Sequence, residues 1–254
     1  MMRLELAPDA DRRLLSPCFK VLEPANTQAL IDAYDQAPAG HHHLLTLDDL
    51  GQALYTSMHA SMSHDLDGGP WLLEAGIDPS WLEEGEFLRD DLPLEQHFQV
   101  RRLSFERQLD GVGFDNLFEK NLSLNEETRA ELTDANTDLL PLLDRDVYLL
   151  RVPVQRACQA LYAFPNGYFR SDLSPLESFR LAEHLEDRYG YALFGLGASL
   201  IAFRKTRALS QPEADSLLDL LVRLYAAPGD EASTRTLFAG VIEQRPLLVL
   251  RYTE

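Results

Sequence analysis

The sequence predicts an α+β protein with an acidic, mainly helical N-terminal part (residues 1–140) and a C-terminal α/β sandwich with a mainly antiparallel sheet (residues 141–254). Three observations carry that expectation. Capping boxes at Ser123-Leu124-Asn125-Glu126, Ser174-Pro175-Leu176-Glu177 and Ser210-Gln211-Pro212-Glu213 each mark the start of a helix, because a hydroxyl at the first position and a carboxylate three residues on satisfy free amides reciprocally. Apolar runs rich in strand-forming residues, Val147–Val154, Tyr191–Phe203 and Leu247–Tyr252, are confined to the second part. Charge divides the chain as well: residues 1–150 hold 29 carboxylates against 11 Lys and Arg, whereas residues 151–254 hold 12 of each. At 254 residues and 45% hydrophobic content, the chain is long enough to bury a substantial core.

In order, Met2–Leu6 reads as a short strand and Pro24–Ala37 as a helix with Leu30, Ile31 and Tyr34 on its apolar side, ended by Pro38-Ala39-Gly40. His41, His42 and His43 fall in a loop leading to Thr46, which is expected to cap a second helix whose apolar side is Leu47, Leu50, Leu54, Met58 and Met62. Residues 65–92 are turn-rich, with Asp67-Gly68-Gly69-Pro70 and Asp78-Pro79-Ser80. Pro93–Leu109 fits a helix through Leu94, Phe98, Phe105 and Leu109, and fits an imperfect strand through Phe98, Val100, Leu103 and Phe105. A short helix follows Ser123, and Asp138-Leu139-Leu140-Pro141 breaks the pattern, placing the boundary between the parts near residues 136–146.

Val147–Val154 reads as a strand that tolerates Pro153 at an edge or end. Asn166-Gly167 supplies the positive φ of a tight turn, which predicts a hairpin between Gln159–Phe164 and Tyr168–Arg170. The helix from Ser174 buries Leu176, Phe179, Ala182, Leu185 and Tyr189 and ends at Gly190, a left-handed position. From Tyr191 a single central strand apolar on both faces is expected, with Gly195 and Gly197 allowing a bulge or a close neighbour. The helix from Ser210 carries a wide stripe including Leu217, Leu221 and Leu224, up to Pro228-Gly229. Thr236–Ile242 and Leu247–Tyr252 read as a closing strand pair.

The net charge of −18 repels nucleic-acid phosphates and anionic membranes and attracts a basic protein. Between Lys20 and Arg89 there is no basic side chain other than histidine, but there are 12 carboxylates and five of the seven histidines. The segment Asp65, Asp67, Trp71, Trp81, Glu83, Glu84, Glu86, Asp90 and Asp91 combines acids with large aromatic anchors, a composition suited to recognising a basic partner. The expected function is therefore a cytoplasmic interaction protein, such as a toxin-neutralising immunity protein or a chaperone or adaptor. The charges in MMRLELAPD do not fit a secretory signal, and Cys18 and Cys158 lack a CxxC pattern, which fits a reducing compartment.

The alternative is a ligand- or metal-binding enzyme with its site between the two parts. His41, His42 and His43 are the metal candidates, with His59, His64, Asp48 or Asp65 as further ligands. Glu177 and His184, seven apart on one helix, with Cys158 or Ser171, form the acid-base candidate. No cofactor is expected: Gly111-Val112-Gly113 lacks the third glycine of a dinucleotide turn, and Gly195-Leu196-Gly197-Ala198-Ser199 matches neither a phosphate loop nor a nucleophile elbow.

Overall fold

The computed structural model describes residues 2–120 and 122–253. The chain opens with an antiparallel pair, β1 (Arg3–Leu6) and β2 (Cys18–Leu22). Asn26 then caps α1 (Thr27–Tyr34), its side-chain oxygen accepting from the Ala29 amide. β3 (His42–Thr46) leads to α2 (Leu50–Ser63), α3 (Trp71–Glu74), a small hairpin of β4 (Leu82–Glu83) and β5 (Phe87–Leu88), and the helices α4 (Leu94–Leu109) and α5 (Glu126–Thr137). The rest comprises β6 (Tyr148–Val152), α6 (Pro175–Tyr189), β7 (Tyr191–Leu196), β8 (Leu200–Lys205), α7 (Gln211–Tyr225), α8 (Glu231–Gln244) and β9 (Leu247–Arg251).

Seven strands form one mixed sheet in the order β1-β2-β6-β3-β7-β8-β9. Every pairing is antiparallel except β3 with β7, where Leu45 lies opposite Gly195 and Thr46 opposite Leu196. The architecture is thus α+β with a mainly antiparallel sheet. That sheet crosses the change in composition near residue 140, because β3 from the acidic stretch lies between β6 and β7. The main hydrophobic cluster likewise joins Leu30, Leu45 and Phe105 to Phe164, Phe194 and Leu248. Ion pairs follow the same route: Arg204 meets Asp35 at 3.3 Å and Arg251 meets Glu131 at 2.7 Å, so cations of the neutral stretch reach carboxylates of the acidic one.

The caps of α6 and α7 form as the sequence predicts, and Gly190 ends α6 at φ +66. The helix after Ser123 begins two residues late, capped by Asn125, whose side chain accepts from the Thr128 amide. Pro93–Leu109 resolves as helix, with Phe98, Arg101, Phe105 and Leu109 at helical spacing on its buried side.

Six expectations are corrected. His42 and His43 stand in β3 rather than in a loop, because Leu44 and Leu45 are buried at the centre of the sheet, and Asp49 rather than Thr46 caps α2. Within α2 the buried residues are Leu50, Ala53, Leu54, Thr56, Ser57, Ala60 and Ser61, while Met58 and Met62 face outward. Gln159–Phe164 forms no hairpin: Ala157–Tyr162 is a 3-10 turn whose small residues pack fully, with the amides of Ala157 and Cys158 donating to Glu186.

The expected long central strand is the hairpin β7–β8. Its turn is held from a distance by Asp48, which accepts from the amides of Ser199 and Leu200 and from the Ser199 hydroxyl at 2.7–3.1 Å. A bulge between Leu193 and Gly195 occurs where the glycines allow it. Finally, Thr236–Ile242 belongs to α8, since Thr234, Phe238, Val241 and Ile242 recur at helical spacing against the core.

β9 is an edge of the sheet, and its exposed backbone is met by α5. Asn136 donates to the Val249 carbonyl at 2.9 Å and accepts from the Val249 amide at 2.8 Å, satisfying groups that an edge strand otherwise leaves open. Among the described residues no helix is long and apolar enough to cross a membrane.

Candidate functional site

The turn-rich stretch predicted to carry a binding surface folds into the wall of a cleft of about 860 Å³. Its anchor is an ion pair across that wall. Arg101, on the buried side of α4 and only 6% exposed, grips Asp67 with two guanidinium nitrogens, Nε at 2.7 Å and Nη2 closer. A fork-to-fork pair of this kind fixes direction as well as distance, so it sets the path of the loop that follows Asp67. Trp71 Nε1 donates to the Gly68 carbonyl at 3.0 Å, and the Gly69 amide donates to the Glu86 carbonyl at 2.8 Å, tying the β4–β5 hairpin to the same loop.

The result gathers Asp65, Asp67, Glu83, Glu86 and Asp90 on one cleft, with Met62 and Phe87 among the apolar lining. Three arginines also line it, and each is engaged: Arg12 donates to the Leu92 carbonyl, Arg13 pairs with Asp11 and Arg101 with Asp67. Asp65, Glu83, Glu86 and Asp90 form no salt bridge among the described residues. Two of the three arginine charges on the cleft are thus held in internal ion pairs, the third guanidinium is engaged by a backbone carbonyl, and four carboxylates on the same wall have no ion-pair partner among the described residues. Arg101 Nη1 and Ser61 Oγ on this lining are buried polar atoms without a hydrogen-bond partner among the described residues. His97, also on the wall, is held below its usual range by burial, with Asp67 acting in the opposite sense and the Arg101 and Arg12 guanidiniums in the same one.

The remaining members of the predicted acidic segment lie elsewhere. Glu84 occupies the tip of the β4–β5 hairpin at φ +52, and Asp91 pairs with Arg89 at 2.8 Å, which lowers its carboxyl. Trp71 is buried and Trp81 half-buried; both pack in a small cluster with Leu72, Ile77 and Val100, and Arg107 covers the Trp71 ring at 4.8 Å. The tryptophans hold the wall together.

No protein-family model, curated protein or solved structure matches the chain.

The histidine tract disperses. His41 contacts the Ala39 carbonyl at 3.3 Å, His42 that of Gln155 at 3.1 Å, and His43 those of Ala33 and Tyr34 at 3.0 and 3.2 Å. Successive residues of a strand point to opposite faces, so His42 and His43 diverge. Among the described residues no group of three His, Cys, Asp or Glu side chains could hold a metal ion. Glu177 accepts from the Ser174 amide and pairs with Lys120 at 3.1 Å, while His184 stacks on Phe114 at 4.0 Å. Cys158 is buried, and that burial pushes its thiol far above the range of a reactive thiolate.

A second, shallower groove of about 420 Å³ runs between α5 and α8, lined by Arg129, Thr133, Thr236, Gln244 and Arg245 among others. Its lining includes no histidine, cysteine or carboxylate.

Exposed apolar residues are the feature that sequence reasoning missed. Tyr55, Met58 and Met62 on α2, Phe87 on the cleft, and Tyr168 and Phe169 on the loop that precedes α6 are all exposed. The available signal was the parallel row of small residues Ala53, Ser57, Ala60 and Ser61, which offers α2 a second face that packs closely.

Proposed function

We propose that this protein is a cytoplasmic interaction protein that binds a basic segment of a partner protein in the cleft between α2, α4 and the β4–β5 hairpin. A toxin neutralised by an immunity protein, or a client held by a chaperone or adaptor, fits the role. The acidic stretch supplies the docking wall and the sheet with its helices supplies the scaffold. One observation carries the reading: Asp65, Glu83, Glu86 and Asp90 line a single cleft without a salt bridge of their own among the described residues, while every arginine on that cleft is already engaged. Removing a lysine or arginine side chain from water is offset where several carboxylates converge, and the long-range field speeds its arrival. The same field disfavours nucleic acids and anionic membranes.

The test uses the purified protein on a matrix, exposed to lysate of the source cell at low and at high salt. A basic protein retained at low salt, released at high salt and not retained by Glu83→Lys/Glu86→Lys supports the cleft as the binding site. Equal retention by that variant would overturn it. The alternative, a ligand-binding enzyme with a site between the two stretches, rests on the α5–α8 groove, whose lining offers no acid-base or nucleophilic pair.

A further inference from the structure

α2 buries Leu50 and Leu54 near its start, but the rest of its buried side is made of small or polar residues, Ala53, Thr56, Ser57, Ala60 and Ser61, while its outer side presents Tyr55 at 50% exposure, Met58 at 37% and Met62 at 68%. Their spacing of three and four places these side chains in one row about 10 Å long. His59 lies between the rings of Tyr55 and Tyr168, at 4.4 and 5.0 Å, and Phe169 follows at 5.1 Å from Tyr168. The flanking loop is fixed beside the helix: Asn166, fully enclosed, donates to the Ala53 carbonyl within α2 and to the Gly197 carbonyl, both at 3.2 Å. A large apolar face held toward solvent by a helix that had small residues to expose instead is the mark of a surface that something covers.

What covers it follows from what adjoins it. Met62 belongs both to the row and to the lining of the acidic cleft, so one ligand can lie on the row and reach the carboxylates. The net charge of −18 disfavours a second copy of this chain and an anionic membrane as the cover. The backbone groups of α2 are used within the helix, so an added strand finds no edge there, and attachment must come from side chains packing between ridges. Flexible methionines suit such packing. We infer that the row Tyr55–Met58–Met62 with Tyr168 and Phe169 docks the apolar face of a basic amphipathic helix, whose lysines or arginines enter the cleft beside Glu83 and Glu86.

This inference rests on the cleft being a site for basic protein segments, and its test separates the two. The probe is a fluorescein-labelled peptide of about 14 residues, four helical turns, with leucines on one face and lysines on the other; a control has the same composition in an order that destroys the faces. Fluorescence anisotropy at several salt concentrations should show wild-type protein binding the amphipathic peptide at least roughly tenfold more tightly than the control. Met58→Gln/Met62→Gln should lose that preference but keep the salt dependence, whereas Glu83→Lys/Glu86→Lys should flatten the salt dependence.

If the methionine variant binds both peptides as wild type does while the charge variant loses them, the helix-docking inference falls and the cleft reading stands. If the charge variant binds unchanged, or neither peptide binds wild type, both fall. Sedimentation of the protein alone supplies a further outcome: a dimer that Met58→Gln/Met62→Gln dissociates would assign the row to a second copy and overturn the inference.

Discussion

His43 is buried in β3, where its Nδ1 contacts the carbonyls of Ala33 and Tyr34 and must therefore carry the proton, while Nε2 is enclosed without a partner. Protonating Nε2 would place a charge in an apolar site near Arg151, and burial accordingly holds His43 below its ordinary value. The unfolded chain takes up that proton first as pH falls. The stability tied to neutral His43 is thus complete above about pH 6.5 and is lost below it, by up to ~1.4 kcal/mol per pH unit. His64, His97 and His184, also lowered by burial, act in the same sense, and Asp48, whose carboxyl burial raises, acts in the opposite one. Urea midpoints measured between about pH 7.5 and 5.5 should fall, and His43→Asn, which keeps a donor at the Nδ1 position, should fall less steeply. An identical slope in that variant would contradict this account. At this scale the sequence announces residues that act on near neighbours: Ser174 with Glu177, Ser210 with Glu213, and Gly190 are where local chemistry places them. It hides those whose partners are remote. Asp48 holds a turn about 150 residues away, and Asn166 secures α2 rather than a hairpin, with Gly167 at φ +108 pressed against the Leu173 carbonyl.

α2 shows why the candidate site was only half legible. The rule that large apolar residues point inward assigns Met58 and Met62 to the core, and it fails here because Ala53, Ser57, Ala60 and Ser61 let the helix pack on its small face. Met58→Gln and Met62→Gln should therefore change stability by no more than about 0.5 kcal/mol, the range of exposed positions. Ala60→Leu, forced into a fully buried position, should cost about 1–3 kcal/mol through overpacking. Chemical denaturation of the three variants decides the matter, and a core-sized loss from either methionine change would place that face inside the protein. The acidic half of the site was legible because Asp65, Asp67, Glu83, Glu86 and Asp90 are close in sequence, and the Arg101–Asp67 pair brings their loops onto one wall. Elements whose length and period agree, such as α1, α6, α7 and β9, could be read directly. The β7–β8 hairpin could not, because its turn, Gly197-Ala198-Ser199, is too small to interrupt an apolar run and owes its place to Asp48.

Charge and composition divide the chain near residue 140, whereas strand order joins it. β3 lies between β6 and β7, making four antiparallel pairs with the first and two parallel pairs with the second. A fragment of residues 141–254 would hold β6 to β9 yet lack the strand that connects β6 to β7, the Asp48 carboxylate that holds the β7–β8 turn, and Asn136 on the β9 edge. Each loss leaves backbone donors or acceptors open that the intact chain satisfies, at a cost of about 1–3 kcal/mol for each buried group. Several together approach the whole stability of an ordinary domain, about 5–15 kcal/mol. The fragment should therefore show poorly dispersed amide resonances and no cooperative thermal transition. Co-expression with residues 1–140 should restore both, because β3, α2 and α5 then return to their places. A sharp two-state transition and well-dispersed spectra from the fragment alone would mean that β6 can pair without β3 and that the C-terminal stretch folds independently of the acidic one.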